Sequence, residues 1–436
     1  MEDLDQITDE ELEGKDPTDA VRDRSFNPWR YAATDKARAI VAEAIGMVEA
    51  FEDHRAPRKR ARKVADQKTF ELTIEAVLCD LMNHALIGFP KGVFITRSGG
   101  ILSCQDRYKA PALNKKLPDF LDKLEKPELA FITQRTGEWS RTGSGERTVM
   151  KPGWRLLDRM AEAKLTVADL GERPHGEVIY LREPKSNPLV RPKLIEYSDT
   201  PETELYRQQM RRINNWLVAA DIVFETTMLT GRQIAADSRQ RMLWRSFTRN
   251  SFDSGGRLFG GFWIPLNKKQ REASIFIDGE ELVELDYAQT APRLVYARKQ
   301  MRPPEKDLYR VPGYERERAG VKKVMNSMLF AQKPITRMPR GVKKKFEERY
   351  RIGDVTEAIM AYHPDIADLF HVGIGHEAQF TESQIMVDIL LKLIDLEIVA
   401  LPIHDAILVA SSNREKAKQV MLDVFRSHTG TEGVVD

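Results

Sequence analysis

The chain has 436 residues, 42% apolar and 31% charged, which is enough for two or three domains with a sizeable buried core. It has only two cysteines, Cys79 and Cys104, and its apolar run near the C-terminus, Ile398 to Ile403, is far short of a membrane span. A disulfide scaffold and a cysteine-rich zinc site are excluded, no membrane partner is expected, and the start Met1-Glu2-Asp3 lacks a secretory pattern, so the expected location is cytoplasmic.

The net charge of +2 conceals an asymmetry. The first twenty residues carry nine acids against Lys15, and residues 1–25 read as a disordered acidic tail. Between Asp286 and Arg351 there are 18 Lys and Arg against 7 Asp and Glu, an excess of +11. A concentrated basic block suits a phosphate-binding surface, although any one such run is usually a solvated face.

From Trp29 to Leu86 the pattern is helical, with Ile40, Ala44, Val48 and Phe51 at i, i+4 and i+3 spacing. A basic knot, Arg55, Arg58, Lys59, Arg60, Arg62 and Lys63, separates two apolar helical runs; it suits either a nucleic-acid grip or an exposed connection. Residues 88–192 mix short strands (Val93–Ile95, Val178–Leu181) with turns, and Gly137 to Lys151 reads as a flexible loop. The six tryptophans are assigned to the core. Tyr197 to Pro201 is a cap cluster that opens a long helix through Ile213, Trp216 and Leu217. The expected organisation is therefore the tail, a helical or mixed region over 26–200, and a second region over 201–436.

Chemistry-bearing residues concentrate in that second region. Ile275 to Asp286 reads as a hairpin turning at Asp278-Gly279, and Ile398 to Ala410 as another, broken at His404-Asp405. Two strand-end aspartates, Asp286 and Asp405, can meet on one sheet and hold a pair of Mg2+ ions for in-line phosphoryl displacement. Taken singly, an aspartate at a strand end is commonplace. Written as a helix, Arg318, Lys322, Asn326 and Phe330 share one face, which suits a triphosphate and a stacked base or sugar better than a core. Gly255-Gly256-Arg257 is a glycine-framed arginine able to approach a minor groove. Thr381-Glu382-Ser383-Gln384 reads first as an N-terminal cap on a core helix, with Gln384 near a template as the other reading. His363, His371 and His376 lack metal-ligand spacing and are read as structural or solvent-exposed.

These segments resemble the polymerase domain of family A DNA polymerases and the related single-subunit phage-type RNA polymerases. Asp286-Tyr287-Ala288-Gln289-Thr290-Ala291-Pro292-Arg293 is similar to motif A, Asp-Tyr-Ser-Gln-Ile-Glu-Leu-Arg. Arg318, Lys322 and Phe330-Ala331 match the spacing of motif B, and His404-Asp405-Ala406 is similar to motif C. Gly256-Arg257-Leu258 is similar to a Thr-Gly-Arg-Leu segment that precedes motif A in that family. The resemblance covers roughly residues 200–425.

It implies an α+β right-hand polymerase with an antiparallel palm sheet and reduced helical fingers, the 26–200 region being thumb-like or nucleic-acid-binding. The implied partners are a DNA or RNA template-primer and nucleoside triphosphates, with Mg2+ bound by Asp286 and Asp405. Arg318 and Lys322 would hold the triphosphate, Lys322 protonating pyrophosphate, while Asn326 and Phe330 meet the nucleotide. Gln289 and Ala291 would line its site, and Arg257, Arg293, His404 and Gln384 would contact nucleic acid. Ala291 stands where the DNA enzymes carry a glutamate that excludes the ribose 2′-hydroxyl, so ribonucleotide acceptance or primase-like activity is expected. Ala406 replaces the last motif C residue, and residue 405 comes only 119 positions after residue 286, hence the reduced fingers. The competing expectations are a degenerate polymerase fold retained to bind nucleic acid, and a metal-dependent nuclease using the two aspartates.

Overall fold

The computed structural model describes residues 23–55, 60–137, 146–185, 192–225, 228–229, 232–233, 236–304, 307–346 and 350–436. Nearly all of the acidic tail, Arg58 and Lys59 of the basic knot, and residues 138–145 lie outside the described residues. The chain is α+β and divides into two compact units that interleave in sequence, one of residues 1–177, 226–242 and 265–270, the other of 178–225, 243–264 and 271–436. No helix among the described residues is long and apolar enough to cross a membrane.

In the first unit the apolar run from Trp29 to Leu86 resolves into strand β2 (Arg30–Ala32) and helices α1 (Asp35–Arg55) and α2 (Val64–Leu86), preceded by β1 (Arg24–Ser25). Helix α2 buries Phe70, Ile74, Val77, Leu78, Leu81 and Met82, the i, i+3, i+4 stripe that its sequence dictates. Strands β3 (Val93–Ile95), β4 (Ile132–Arg135) and β5 (Thr148–Pro152) complete a four-stranded sheet ordered β1-β3-β5-β4, while β6 (Leu170–Glu172) pairs with β2. Thr148 to Lys151, expected within a flexible loop, are thus strand residues, because Val149 pairs with Phe94 and Met150 is fully buried. Helices α3 (Leu117–Leu124) and α4 (Trp154–Glu162) follow the same pattern, except that Trp154, assigned to the core, is 58% exposed.

One group of buried polar side chains in this unit is paired across elements. Asp80 of α2 is fully buried and receives the Arg24 guanidinium at 2.9 Å, and Arg24 Nε donates to His84 Nδ1 at 3.3 Å. Burial first, then the Arg24 charge, lowers His84 from an ordinary 6.5 to about 4. With the folded value below the unfolded one, this contribution is intact above about pH 6.5 and drains as pH falls toward 4. Thermal melts from pH 7 to 4 are expected to show that loss. His84→Gln, which still accepts from Arg24, should flatten it; an unchanged acid slope would place the sensitivity elsewhere.

The second unit is built on a five-stranded antiparallel sheet. Its members are β8 (Ile222–Phe224), β11 (Ile275–Ile277), β12 (Glu280–Asp286), β13 (Ala400–Ile403) and β14 (Ala406–Ala410), in the order β13-β14-β12-β11-β8. A second sheet has β9 (Leu243–Phe247) between β7 (Ile179–Leu181) and β10 (Gly255–Gly260). Asp278 and Gly279 both have positive φ, which matches the hand of a two-residue hairpin to the strand twist and sets the β11–β12 register. Strands β13 and β14 are buried at every position, so they read as continuous apolar runs rather than alternating ones.

Helix α5 (Pro201–Ala219) begins where the Thr200 hydroxyl accepts from Thr203 N–H at 3.2 Å, with Pro201 at its first position. Helices α6 (Thr290–Arg298), α7 (Arg318–Phe330), α8 (Ile352–Tyr362), α9 (Gly375–Asp395) and α10 (Arg414–Thr429) complete the unit. Thr381 to Gln384 lie inside α9, six or more residues beyond its start at Gly375, so the cap reading of that cluster is wrong. The reason is that Ala378 already packs inward, which extends the apolar face N-terminally.

Candidate active site

The register of the large sheet assembles the site. Strand β12 runs antiparallel to β14 with Asp286 opposite Ala406, and β14 turns back to β13 through His404-Asp405. Asp286 and Asp405 therefore emerge at the same end of neighbouring strands, whose separation is about 4.8 Å. Tyr287 N–H donates to the Asp405 carbonyl at 3.4 Å, closing the ladder between them. Asp286 is exposed and Asp405 half-buried.

Two residues in left-handed backbone flank the pair: His404 (φ 53°) just before Asp405, and Gln289 (φ 59°) three residues after Asp286. Each such non-glycine residue costs about 1–2 kcal/mol and persists only where its surroundings over-determine it, a pattern concentrated at functional sites. At Gln289 the bend starts α6 one residue later, which brings Thr290 under the aspartates. Its hydroxyl lies 2.7 Å from Asp405 Oδ2 and 3.1 Å from the Tyr287 carbonyl. The Gln289 side chain faces the next segment, its Oε1 accepting from Leu308 N–H at 2.9 Å.

That segment joins α7 to the site. Asp307 pairs with Arg318 at the first position of α7, while Tyr309 N–H donates to Asp307 Oδ1 at 3.0 Å. Arg318 lies 5.5 Å from the centre of the Tyr309 ring, over its face. Burial raises Asp307, but the hydrogen bonds from Arg318 and Tyr309 N–H outweigh it and hold the carboxyl below its ordinary value. Tyr309 is only 3% exposed; burial, then the nearby Asp405 charge, pushes its phenol upward. Arg293 is half-buried, donates to the Ala288 carbonyl at 3.0 Å, and is lowered by burial. Ala291 sits half-buried in the first turn of α6.

Arg257 of β10 makes a bidentate pair with Glu382 of α9, at 2.7 and 2.9 Å, rather than standing open to a groove. Glu382 is raised by burial, opposed by Arg257 and reinforced by Asp405, so its buried carboxylate lies within reach of the Asp405 charge. Behind it Arg245 is fully buried between the Tyr206 and Phe247 rings, each 4.7 Å away. Arg245 donates to the Gly256 carbonyl at 2.9 Å and to Ser383 at 3.0 Å, and burial lowers it to about 10. Gly256 has φ +79°, and a Cβ there would stand 2.8 Å from Ser383 Oγ, so only glycine fits.

The remaining sequence-derived residues disperse. Arg318, Lys322, Asn326 and Phe330 do share a face of α7, but at 1.5 Å per residue Phe330 stands about 18 Å along the axis from Arg318. Phe330 meets the first turn of α9, edge-on to His376 with centroids 5.0 Å apart. Lys322 is exposed, and Asn326 Oδ1 is buried without a hydrogen-bond partner among the described residues. Gln384 stands about 200° round α9 from Glu382 and so does not share the face that meets Arg257. His404 is half-buried, its ring 6.5 Å from that of Phe259. His363 is fully buried between the Tyr296 hydroxyl and the Leu308 carbonyl, which also fixes the 307–309 segment.

Asp307, Tyr309 and Arg245 were not singled out from the sequence, while Thr290 appeared only inside the Asp286 to Arg293 segment and Glu382 only inside the Thr381 to Gln384 cluster, neither with a site role. A cavity of about 330 Å³ lined by Leu294, Arg298, Glu377, Phe380 and Thr381 touches neither aspartate and is not this site.

The donor set suits magnesium. Mg2+ prefers oxygen ligands, binds through one or two carboxylates and takes the rest of its shell from water and substrate phosphates. Asp286 and Asp405 provide two such carboxylates, and no group of three or more metal-ligating side chains occurs among the described residues. Comparison with models of known protein families and with curated protein sequences finds no match to this chain.

Proposed function

We propose that this protein is a template-directed nucleotidyltransferase that extends a nucleic-acid 3′ end from nucleoside triphosphates, with the five-stranded sheet as the palm of a right-hand polymerase. The observation that supports the proposal is the placement of Asp286 and Asp405 at the same end of adjacent strands, with left-handed residues at His404 and Gln289 and the 307–309 segment, which pairs with Arg318 of α7, bonded to Gln289. The motif order in the sequence supports it independently.

Asp286 and Asp405 would hold Mg2+, which when bound supplies a lowered pKa at a 3′-hydroxyl and neutralisation of triphosphate charge. The bond from the 3′-oxygen to the α-phosphorus would form as the bond from that phosphorus to pyrophosphate breaks, the 3′-hydroxyl proton passing to solvent water. Thr290 holds the Asp405 carboxylate in one orientation through the 2.7 Å bond. Arg318 exchanges Asp307 for the triphosphate, and Lys322, one turn further along α7, donates a proton to the departing pyrophosphate. The Arg257–Glu382 pair fixes β10 against α9 beside Asp405.

Extension of a labelled DNA primer on a DNA template with Mg2+, using deoxynucleotides and ribonucleotides separately and with unprimed controls, tests the reading. Extension is the expected result. No product under any condition, together with tight nucleic-acid binding, would instead assign the chain as a binding factor. Ala291→Glu is expected to cut the ribonucleotide-to-deoxynucleotide ratio by about 10²-fold, because a carboxylate would stand where Ala291 leaves room for a 2′-hydroxyl. An unchanged ratio would remove Ala291 from the sugar site.

A further inference from the structure

Six of the 18 cations between Asp286 and Arg351 fall in one segment after α7. Residues 332–346 contain six cations, Lys333, Arg337, Arg340, Lys343, Lys344 and Lys345, and no acid. The first five are exposed, and none of their side chains makes an ion pair or hydrogen bond with a described residue. Glu347 and Glu348 follow the segment in sequence, and the five exposed cations, held in a defined shape with no counter-charge among the described residues, suit a polyanion.

The segment is held in that shape. Pro334 and Pro339 stiffen it, Lys343–Lys345 form a turn of 3-10 helix, and Val342 is fully buried. Phe346 closes it by seating on α7 at Gly320, where a Cβ would stand 2.4 Å from the Phe346 ring. The missing side chain of Gly320 is thus a notch for Phe346, and Tyr314 meets the same ring at a centroid distance of 6.3 Å. The helix carrying Arg318 and Lys322 and the basic segment are packed together through this notch.

We propose that residues 332–346 form a clamp for the phosphate backbone of a nucleic-acid duplex. The proposal rests on the nucleic-acid partner in the reading above and not on its chemistry. A duplex offers regularly spaced phosphates to cations that cannot all approach one compact anion, and exchange of its counterions for side chains is the source of affinity. Specificity for sequence is not expected, since contacts to phosphates position a duplex but carry no sequence information.

The test is binding of a fluorescent DNA duplex of about 20 base pairs by the full chain, without Mg2+ or nucleotides, over about 50–300 mM NaCl. The variant K333A/R337A/R340A/K343A/K344A is expected to bind at least about 100-fold more weakly at low salt. Its log-log salt slope should be smaller by about 3–4, at roughly 0.9 for each phosphate the variant leaves unneutralised. Phe346→Ala, which changes no charge, is expected to weaken binding about 10-fold by unseating the segment, with a melting curve to verify the fold. Asp286→Asn should keep the full slope, which separates failure of the clamp from failure of the chemistry. Wild-type affinity and slope in the five-site variant would overturn the proposal. So would a wild-type chain that binds phosphatidylserine vesicles but not the duplex, or that binds neither.

Discussion

Asp286→Asn and Asp405→Asn are each expected to lower nucleotide incorporation by at least about 10³-fold, equivalent to about 4 kcal/mol of transition-state stabilisation. The size follows from removing one of two anionic ligands at a site whose chemistry is charge neutralisation. Neither change should unfold the chain. Asp286 is exposed, and an asparagine at 405 still presents an oxygen to the Thr290 hydroxyl. Single-turnover extension beside a melting curve and duplex binding checks this. Two stable variants that extend at the wild-type rate would move the chemistry away from the β12–β14 edge.

Lys322→Ala is expected to reduce the rate of incorporation by about 10²-fold with duplex affinity unchanged, the usual worth of a positioned proton donor. A nuclease built on the same aspartates would tolerate the change, since a scissile backbone has no triphosphate for Lys322 to serve. Arg318 should behave differently, because it already has a partner. Arg318→Ala should raise KM for the nucleotide, whereas Asp307→Asn should lower it by freeing the guanidinium that Asp307 occupies. If Asp307→Asn instead raises KM, Asp307 positions Arg318 rather than competing for it. Arg318→Lys should not rescue, as an ammonium cannot reproduce the planar fork.

Much of the local structure around this site was legible before any folding. The Asp278-Gly279 turn, the helical face from Arg318 to Phe330 and the strand ending at Asp286 each depend on residues within a few positions. The Thr381 to Gln384 cluster was misplaced for the converse reason. A cap and a helix interior differ there only in whether the preceding turn finds a surface to bury against, as Ala378 does. Glu382 and Gln384 are equally polar in sequence. Which of them meets Arg257 depends on how α9 is rotated, and that is set by the apolar residues Ile385, Met386, Ile389 and Leu390 against the rest of the unit.

By itself, the sequence determined the hairpin at Asp278-Gly279, the face that Arg318 to Phe330 share on one helix, and that Asp286 would end a strand with Asp405 at the break of a second hairpin. Those outcomes rest on backbone preference and periodicity, which act over a few residues. Only the tertiary structure decided that β12 lies beside β14, although 119 positions separate Asp286 from Asp405, that Asp307 would hold Arg318, and that Phe346 would seat on Gly320. Such pairings are chosen by the burial of whole surfaces and the exclusion of unpaired charge, neither of which is carried by any short stretch of chain.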